Sequence, residues 1–338
     1  MTIASRLKKV SRKAAATVAA VAAAASMVVA GTGVATAGNR DFLRADATGT
    51  CDWDGVGFWV QRCDVFSPAM GRNITVQIQP AQRGGNAGLY LLDGARATDI
   101  ANAWTVDAHA QDLFVDHNIT LVMPVGGAGS FYTDWVGPAG PQKAVYKWET
   151  FLTSELPSYL AANFGVSPTN NSIAGLSMGA TAAMNLAALH PDQFRQVLSF
   201  SGYLSMSVPG TYLMMGLALQ EIGGFNINNM YGSFFGLRRF QLDPLINAGG
   251  LAGKDVYVSA ASGIWGAPDS NYPVGDRING SVLEIASRVS TRIWEAQARS
   301  MGLNVTTNYP STGIHNWPQW RYQIETTKGR ILDVMNAW

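Results

Sequence analysis

The chain is poor in the side chains that carry most protein chemistry. Its 338 residues include two cysteines and four histidines. Cys51 and Cys63 have no histidine near them, which argues against a Cys/His metal site there. No metal or other cofactor is expected. Charged residues make up 14% of the chain. Together with ten tryptophans, this points to an apolar or sugar-like ligand more than to a phosphorylated one. A basic excess is missing as well, since the formal net charge is +1, and nucleic acid is not an expected partner. Internal repeats and a domain linker are absent. Beyond residue 30 no stretch approaches the ~20 apolar residues of a membrane-spanning helix. The mature chain is therefore expected to have no transmembrane anchor and to meet any membrane or envelope only peripherally.

The N-terminus has a different composition. Arg6, Lys8, Lys9, Arg12 and Lys13 precede an Ala- and Val-rich run over residues 14–30, and Ala35-Thr36-Ala37 follows. This order reads as a secretory signal peptide over residues 1–37, cleaved near Ala37. A single domain is expected over residues 38–338. Removing five of the 24 basic residues and none of the 23 acidic ones leaves a mature net charge of −4. In an exported protein the Cys51 and Cys63 pair is expected to form one local disulfide.

Past Cys63, strand and helix signals alternate. Residues 73–80 (NITVQIQP) alternate with period two. Residues 88–94 (GLYLLDG) and 119–127 (ITLVMPVGG) are apolar runs ending in glycine, as in buried parallel strands. Residues 147–165 have helical spacing, with Pro157 expected to kink or split the helix. A strand at 171–177, an Ala-rich helix ending at Pro191, two further strands, a long helix over 281–302 and a last strand at 304–310 complete the pattern. Such alternation implies an α/β fold, with a mostly parallel central sheet and helices on both faces. Residues 205–250 break the alternation. Their Met, Phe, Leu and Gly content suits either irregular core helices or an apolar flap for a lipid chain.

Gly175-Leu176-Ser177-Met178-Gly179 spans the end of the strand at 171–177 and the start of the Ala-rich helix. A G-x-S-x-G at a strand-to-helix turn is a nucleophile elbow, which lifts the serine hydroxyl clear of the sheet. Ser177 is thus the expected nucleophile. Its base must follow it in the order of the α/β-hydrolases, which removes His109 and His117. His190 ends the helix that Ser177 opens, about 20 Å away at 1.5 Å per residue. His315 remains. The acid should lie between, and Asp269, Asp276 and Glu284 all qualify. Two backbone donors are expected for the oxyanion: Met178 after the nucleophile, and Ala95 after the strand that ends at residue 94.

Several segments together resemble the antigen 85 complex and the related corynebacterial mycolyltransferases: SPAMGRNITVQIQ, LYLLDGARATDIANAW, ITLVMPVGGAGSFYTDW, YKWETFLTSELPSYL, SIAGLSMGATAAMNLAALHPDQF and GIHNWPQW. The resemblance covers most of residues 67–320. It implies an α/β-hydrolase fold and transfer of a mycolyl group from trehalose monomycolate to another sugar. The acceptor would be a second trehalose monomycolate or the cell-wall arabinogalactan, and the acyl group would pass through a mycolyl-serine intermediate. It places the nucleophile on Ser177, the base on His315 and the acid on Glu284, in a "FLE"-like stretch. The oxyanion donors fall on Ala95 and Met178; the family commonly carries Leu at the first position. Asp93, Arg96 and Trp317 match sugar-contacting positions; the alternative for Arg96 is a structural ion pair with Asp99 or Asp93. Residues 205–250 fall where the family places its mobile, lipid-facing region. The resemblance also implies a cell-envelope location. Two other readings share the residues: a secreted carboxylesterase with water as acceptor, and a binding protein that has lost catalysis.

Overall fold

The computed structural model describes residues 51–338. The expected signal segment and its cleavage site near Ala37 lie outside the described residues. Nine strands form one sheet: β1 (Cys51–Trp53), β2 (Gln61–Ser67), β3 (Arg72–Gln79), β4 (Ala87–Leu92), β5 (Ile119–Pro124), β6 (Asn171–Leu176), β7 (Phe194–Phe200), β8 (Asp255–Ser259) and β9 (Val305–Asn308). Their order across the sheet is β1-β2-β3-β5-β4-β6-β7-β8-β9. The first three pairings, from β1 to β5, are antiparallel, and the five from β5 to β9 are parallel. This is the mostly parallel α/β-hydrolase sheet expected from the alternation.

The apolar runs are continuous because both faces of the sheet are covered. Every residue of β4, β5 and β6 is buried. Along β4, Tyr90 and Leu92 join one core while Leu89 and Leu91 join the other, as a period of two requires. The first core is closed by the helices Leu156–Phe164, Met178–Leu189 and Val274–Ser300, through residues such as Leu160, Met184 and Trp294. The second is closed by short helices around Trp104 and Phe114 and by the helix Trp317–Met335.

Several elements depart from the sequence reading. The antiparallel β1–β2 edge was not expected. There Cys51 sits directly across from Cys63 and the two are joined by a disulfide. At Pro157 the helix is not split: it runs from Trp148 to Phe164 without a break, through a widened π-helical turn, Phe151–Glu155, just before the proline. The widened turn relieves the crowding that a proline ring brings to the preceding turn of a helix. The long helix starts at Val274 and not at residue 281, so Asp276 lies on the helix and not in a loop. The helix Trp317–Met335 was not expected at all. The segment 205–250 forms short helices, including Thr211–Gly223. The fully buried Asp243 anchors its base by accepting hydrogen bonds from the Met206, Ser207 and Leu245 N–H groups.

Candidate active site

Adjacent parallel strands β4 and β6 send their chains in opposite directions, β4 toward β5 and β6 toward β7. A crevice opens at such a switch point, beyond the carboxyl ends of the strands. Ala95 follows β4 and Ser177 follows β6, so the two sequence-predicted loops meet there.

The elbow is shaped by its glycines. A Cβ on Gly175 would lie 2.3 Å from the Gly179 backbone, and one on Gly179 would lie 2.5 Å from the Leu92 and Asp93 carbonyl oxygens. Only glycine permits so close a passage. Ser177 itself holds φ 52° and ψ −117°, a conformation that L-residues other than glycine rarely adopt. Its N–H is secured by the Phe200 carbonyl at 2.9 Å, and the helix Met178–Leu189 starts immediately after it.

Three distant segments meet at the serine. His315 Nε2 is 2.9 Å from Ser177 Oγ, and His315 Nδ1 is 2.8 Å from Glu284 Oε2. A carboxylate only accepts, so Nδ1–H donates to it and Nε2 is left to accept the serine proton. Glu284 is fully buried. Its other oxygen, Oε1, accepts from the Ala261 N–H at 2.6 Å and the Ser201 hydroxyl at 2.9 Å. The imidazole is held by the Trp320 ring edge-on at 5.0 Å and by Tyr203 at 6.0 Å. Of the three candidate acids, only Glu284 reaches His315. Asp269 is buried but spends its oxygens on the Gly266 N–H and the Asn316 side-chain amide. Asp276 is exposed on the first turn of the long helix. His190 pairs with Glu149 at 3.0 Å.

The two expected oxyanion donors are available. Neither the Ala95 nor the Met178 N–H donates to another group within the described residues. The Gly94 carbonyl, in the same peptide as the Ala95 N–H, accepts from the Ala97 N–H at 3.1 Å, and the Ser177 carbonyl, in the same peptide as the Met178 N–H, accepts from the Thr181 N–H at 3.2 Å, so both peptides are fixed in place. The Met178 N–H also stands at a helix N-terminus, where the dipole favours negative charge.

Comparison with known proteins fits this geometry. Residues 67–331 match the esterase family model described as "Putative esterase". Diacylglycerol acyltransferase/mycolyltransferase Ag85C of Mycobacterium leprae is 37% identical over 284 residues, covering 83% of this chain and 84% of that protein. The Ag85A protein of Mycobacterium gordonae is 38% identical over 287 residues, covering 83% and 82%. The chain belongs to the antigen 85 mycolyltransferase family. It is an acyltransferase with an α/β-hydrolase fold. Among solved structures, Mycobacterium tuberculosis MPT51 aligns with TM-score 0.70 at 30% identity, over 82% of this chain and 98% of that one. An S-formylglutathione hydrolase from Agrobacterium tumefaciens aligns with TM-score 0.57 at 17% identity, over 84% and 98%, and shares the fold.

The remaining positions drawn from the antigen 85 family sit in distinct surroundings. Asp93 is buried, and its carboxylate accepts from the Gly94 N–H at 2.7 Å and the Ala103 N–H at 2.9 Å. It shapes the loop that carries Ala95. Burial raises its pKa to about 6, against the lowering effect of those two hydrogen bonds. Arg96 pairs with neither Asp93 nor Asp99. Its guanidinium reaches Glu221 on the helix Thr211–Gly223 at 2.7 Å, both side chains being exposed. The polypeptide beyond β4 thus contacts the segment 205–250. Trp317 packs edge-on against Trp104 and Trp320, at 5.8 and 5.1 Å. Two neighbours of the relay, Ser201 and Trp320, were missed from sequence. Trp320 ends the segment GIHNWPQW but was given no role there, Ser201 belongs to no motif, and only the fold brings them to Glu284 and His315.

Proposed function

We propose that Ser177, His315 and Glu284 form the catalytic triad of a secreted mycolyltransferase whose donor is trehalose monomycolate. His315, oriented by Glu284, takes the hydroxyl proton as Ser177 Oγ attacks the ester carbonyl. The carbonyl oxygen becomes an oxyanion held by the Ala95 and Met178 N–H groups. Collapse of this intermediate breaks the ester bond. His315 returns the proton to the departing trehalose hydroxyl, and a mycolyl-Ser177 ester remains. A sugar hydroxyl of a second trehalose monomycolate, or of arabinogalactan, then gives its proton to His315 and attacks the same carbonyl. Ser177 leaves with that proton, and the product is trehalose dimycolate or mycolylated arabinan.

The observation that carries these roles is the unbroken hydrogen-bonded run from Glu284 through His315 to Ser177, facing two free amides. Arg96 and Trp317 are assigned to sugar contact and the exposed side chains of the flap to lipid contact. In the helix Thr211–Gly223, Leu213, Met214 and Leu217 all face solvent. Intact-mass measurement after mixing with donor tests the nucleophile. The wild type gains the mass of one acyl group and Ser177→Ala gains none. An adduct on the alanine variant would overturn the assignment.

A further inference from the structure

From Val274 to Thr291 the helix Val274–Ser300 is amphipathic in the wrong sense for a surface helix. Along that stretch the buried face is mostly small and polar: Gly280, Glu284, Ser287, Ser290 and Thr291 are all buried, and apolar side chains, Trp294 and Ala298, enter the core only beyond it. Ser287 and Thr291 both donate to the Gly202 carbonyl at 3.2 Å, and Ser290 meets Ser205 at 2.8 Å. These bonds seat the helix on the segment that also holds Ser201. The opposite face is apolar. Val274, Ile278, Val282, Ile285, Val289 and Ile293 are between 39% and 63% exposed. At about 100° per residue these six stay within an arc of about 100°, centred about 180° from the buried face. Ordinary surface helices put such a stripe inward. Here six β-branched side chains line up in water.

One flank of the stripe is basic. Arg277, Arg288, Arg292 and Arg299 lie along it, with Glu295 as the acid among them. Arg277 stacks over Trp265 at 4.6 Å and Arg292 over Tyr309 at 3.6 Å, so the cations are held at the edge of the apolar strip. A second copy of the chain fits this surface poorly. The strip is about 30 Å long and about 10 Å wide, on the order of 300 Å², against about 800 Å² per partner for a stable protein interface. An antiparallel two-fold pairing would also set the arginine flank against itself. A lipid layer has neither constraint. A straight apolar stripe with a cationic edge is the form that lies flat at a lipid–water boundary.

We propose that the solvent-facing stripe of the helix Val274–Ser300 docks this enzyme on an anionic lipid surface. The arginine flank meets the headgroups and the Val and Ile side chains enter the acyl boundary. Glu284 projects from the opposite side of the same helix, so docking leaves the triad in place while bringing it to lipid-held donor. The purpose rests on the lipid-donor reading above; the surface itself does not.

Flotation of the mature chain with vesicles tests this. One set contains about 30 mol % phosphatidylglycerol in phosphatidylcholine, and the other phosphatidylcholine alone. The wild type should float with the anionic vesicles and less with the neutral ones. The variant Ile278→Gln/Val282→Gln/Val289→Gln should partition more than about tenfold less, yet hydrolyse a soluble short-chain nitrophenyl ester at the wild-type rate, which shows that it is folded. Ser177→Ala should float like the wild type. Failure of the acyl-enzyme assignment would therefore leave this result standing, and the reverse also holds. A wild type that stays at the bottom with both vesicle types would overturn the proposal. So would a triple variant that floats equally well, or a wild-type dimer in light scattering that the triple variant dissociates.

Discussion

The Ser201 hydroxyl donates a 2.9 Å hydrogen bond to Glu284 Oε1, the carboxylate oxygen that His315 does not use. Ser201 reaches that position with φ 55°, and its Oγ also accepts from the Trp320 indole N–H at 3.2 Å. Trp320 in turn lies against the His315 ring. The carboxylate is thus gripped at both oxygens, and the imidazole is fixed from its edge and its face. Ser201 is a positioning residue in this arrangement.

Ser201→Ala should leave the buried indole N–H without its partner and Glu284 with one donor fewer. An unsatisfied buried donor costs about 1–3 kcal/mol. The variant should melt earlier, and its acyl transfer should slow by about tenfold through kcat, with KM little changed. Denaturant midpoints and steady-state kinetics check both. Unchanged kcat would mean that Ser201 has only a structural role.

Glu284→Gln keeps the shape of the acid but turns an amide toward Nδ1, which favours the wrong tautomer of His315. By analogy with such substitutions in serine proteases, kcat should fall roughly 10³–10⁴-fold. Asp269→Asn, whose carboxylate braces Asn316 away from the imidazole, should stay within about tenfold of wild type. The reverse ranking would move the acid to Asp269.

Asp93 carries a pH signature in stability. Its folded pKa is raised to about 6 by burial, from an ordinary 3.8, so the folded chain holds this proton more tightly than the unfolded chain. The stabilisation linked to that proton is full below about pH 3.8 and is lost as pH rises through about 6, roughly 3 kcal/mol in all. Thermal melts of the wild type and Asp93→Asn across pH 4–7 should differ in slope, the variant lacking this decline. Parallel slopes would contradict the raised pKa.

The sequence disclosed the parts of the molecule that obey local rules. The apolar runs of β4, β5 and β6 are legible because burial on both faces removes polar alternation, and the elbow is legible because only glycine fits its close contacts. Ser177 and His315 came from motif and chain order. Glu284 was one acid of three by its residues alone, singled out only by the family resemblance. The choice depends on which side of a long helix faces the imidazole, and the start of that helix was hidden. Gly275, Asn279 and Gly280 are weak helix formers, so the periodicity was visible only from Ser281. Once the helix begins at Val274, its exposed stripe becomes apparent. Ser201 had no signal, since a serine after a strand is common and its partner lies 83 residues away.

The most direct measurement of the central claim is the fate of the acyl group. Labelled trehalose monomycolate is supplied to the enzyme with and without added trehalose, and the products are separated as sugar esters and free acid. Label should pass chiefly into sugar esters, added trehalose should increase transfer at the expense of hydrolysis, and Ser177→Ala should form neither product. Release of label as free mycolic acid, at a rate that trehalose leaves unchanged, would contradict acyl transfer and make the protein an esterase.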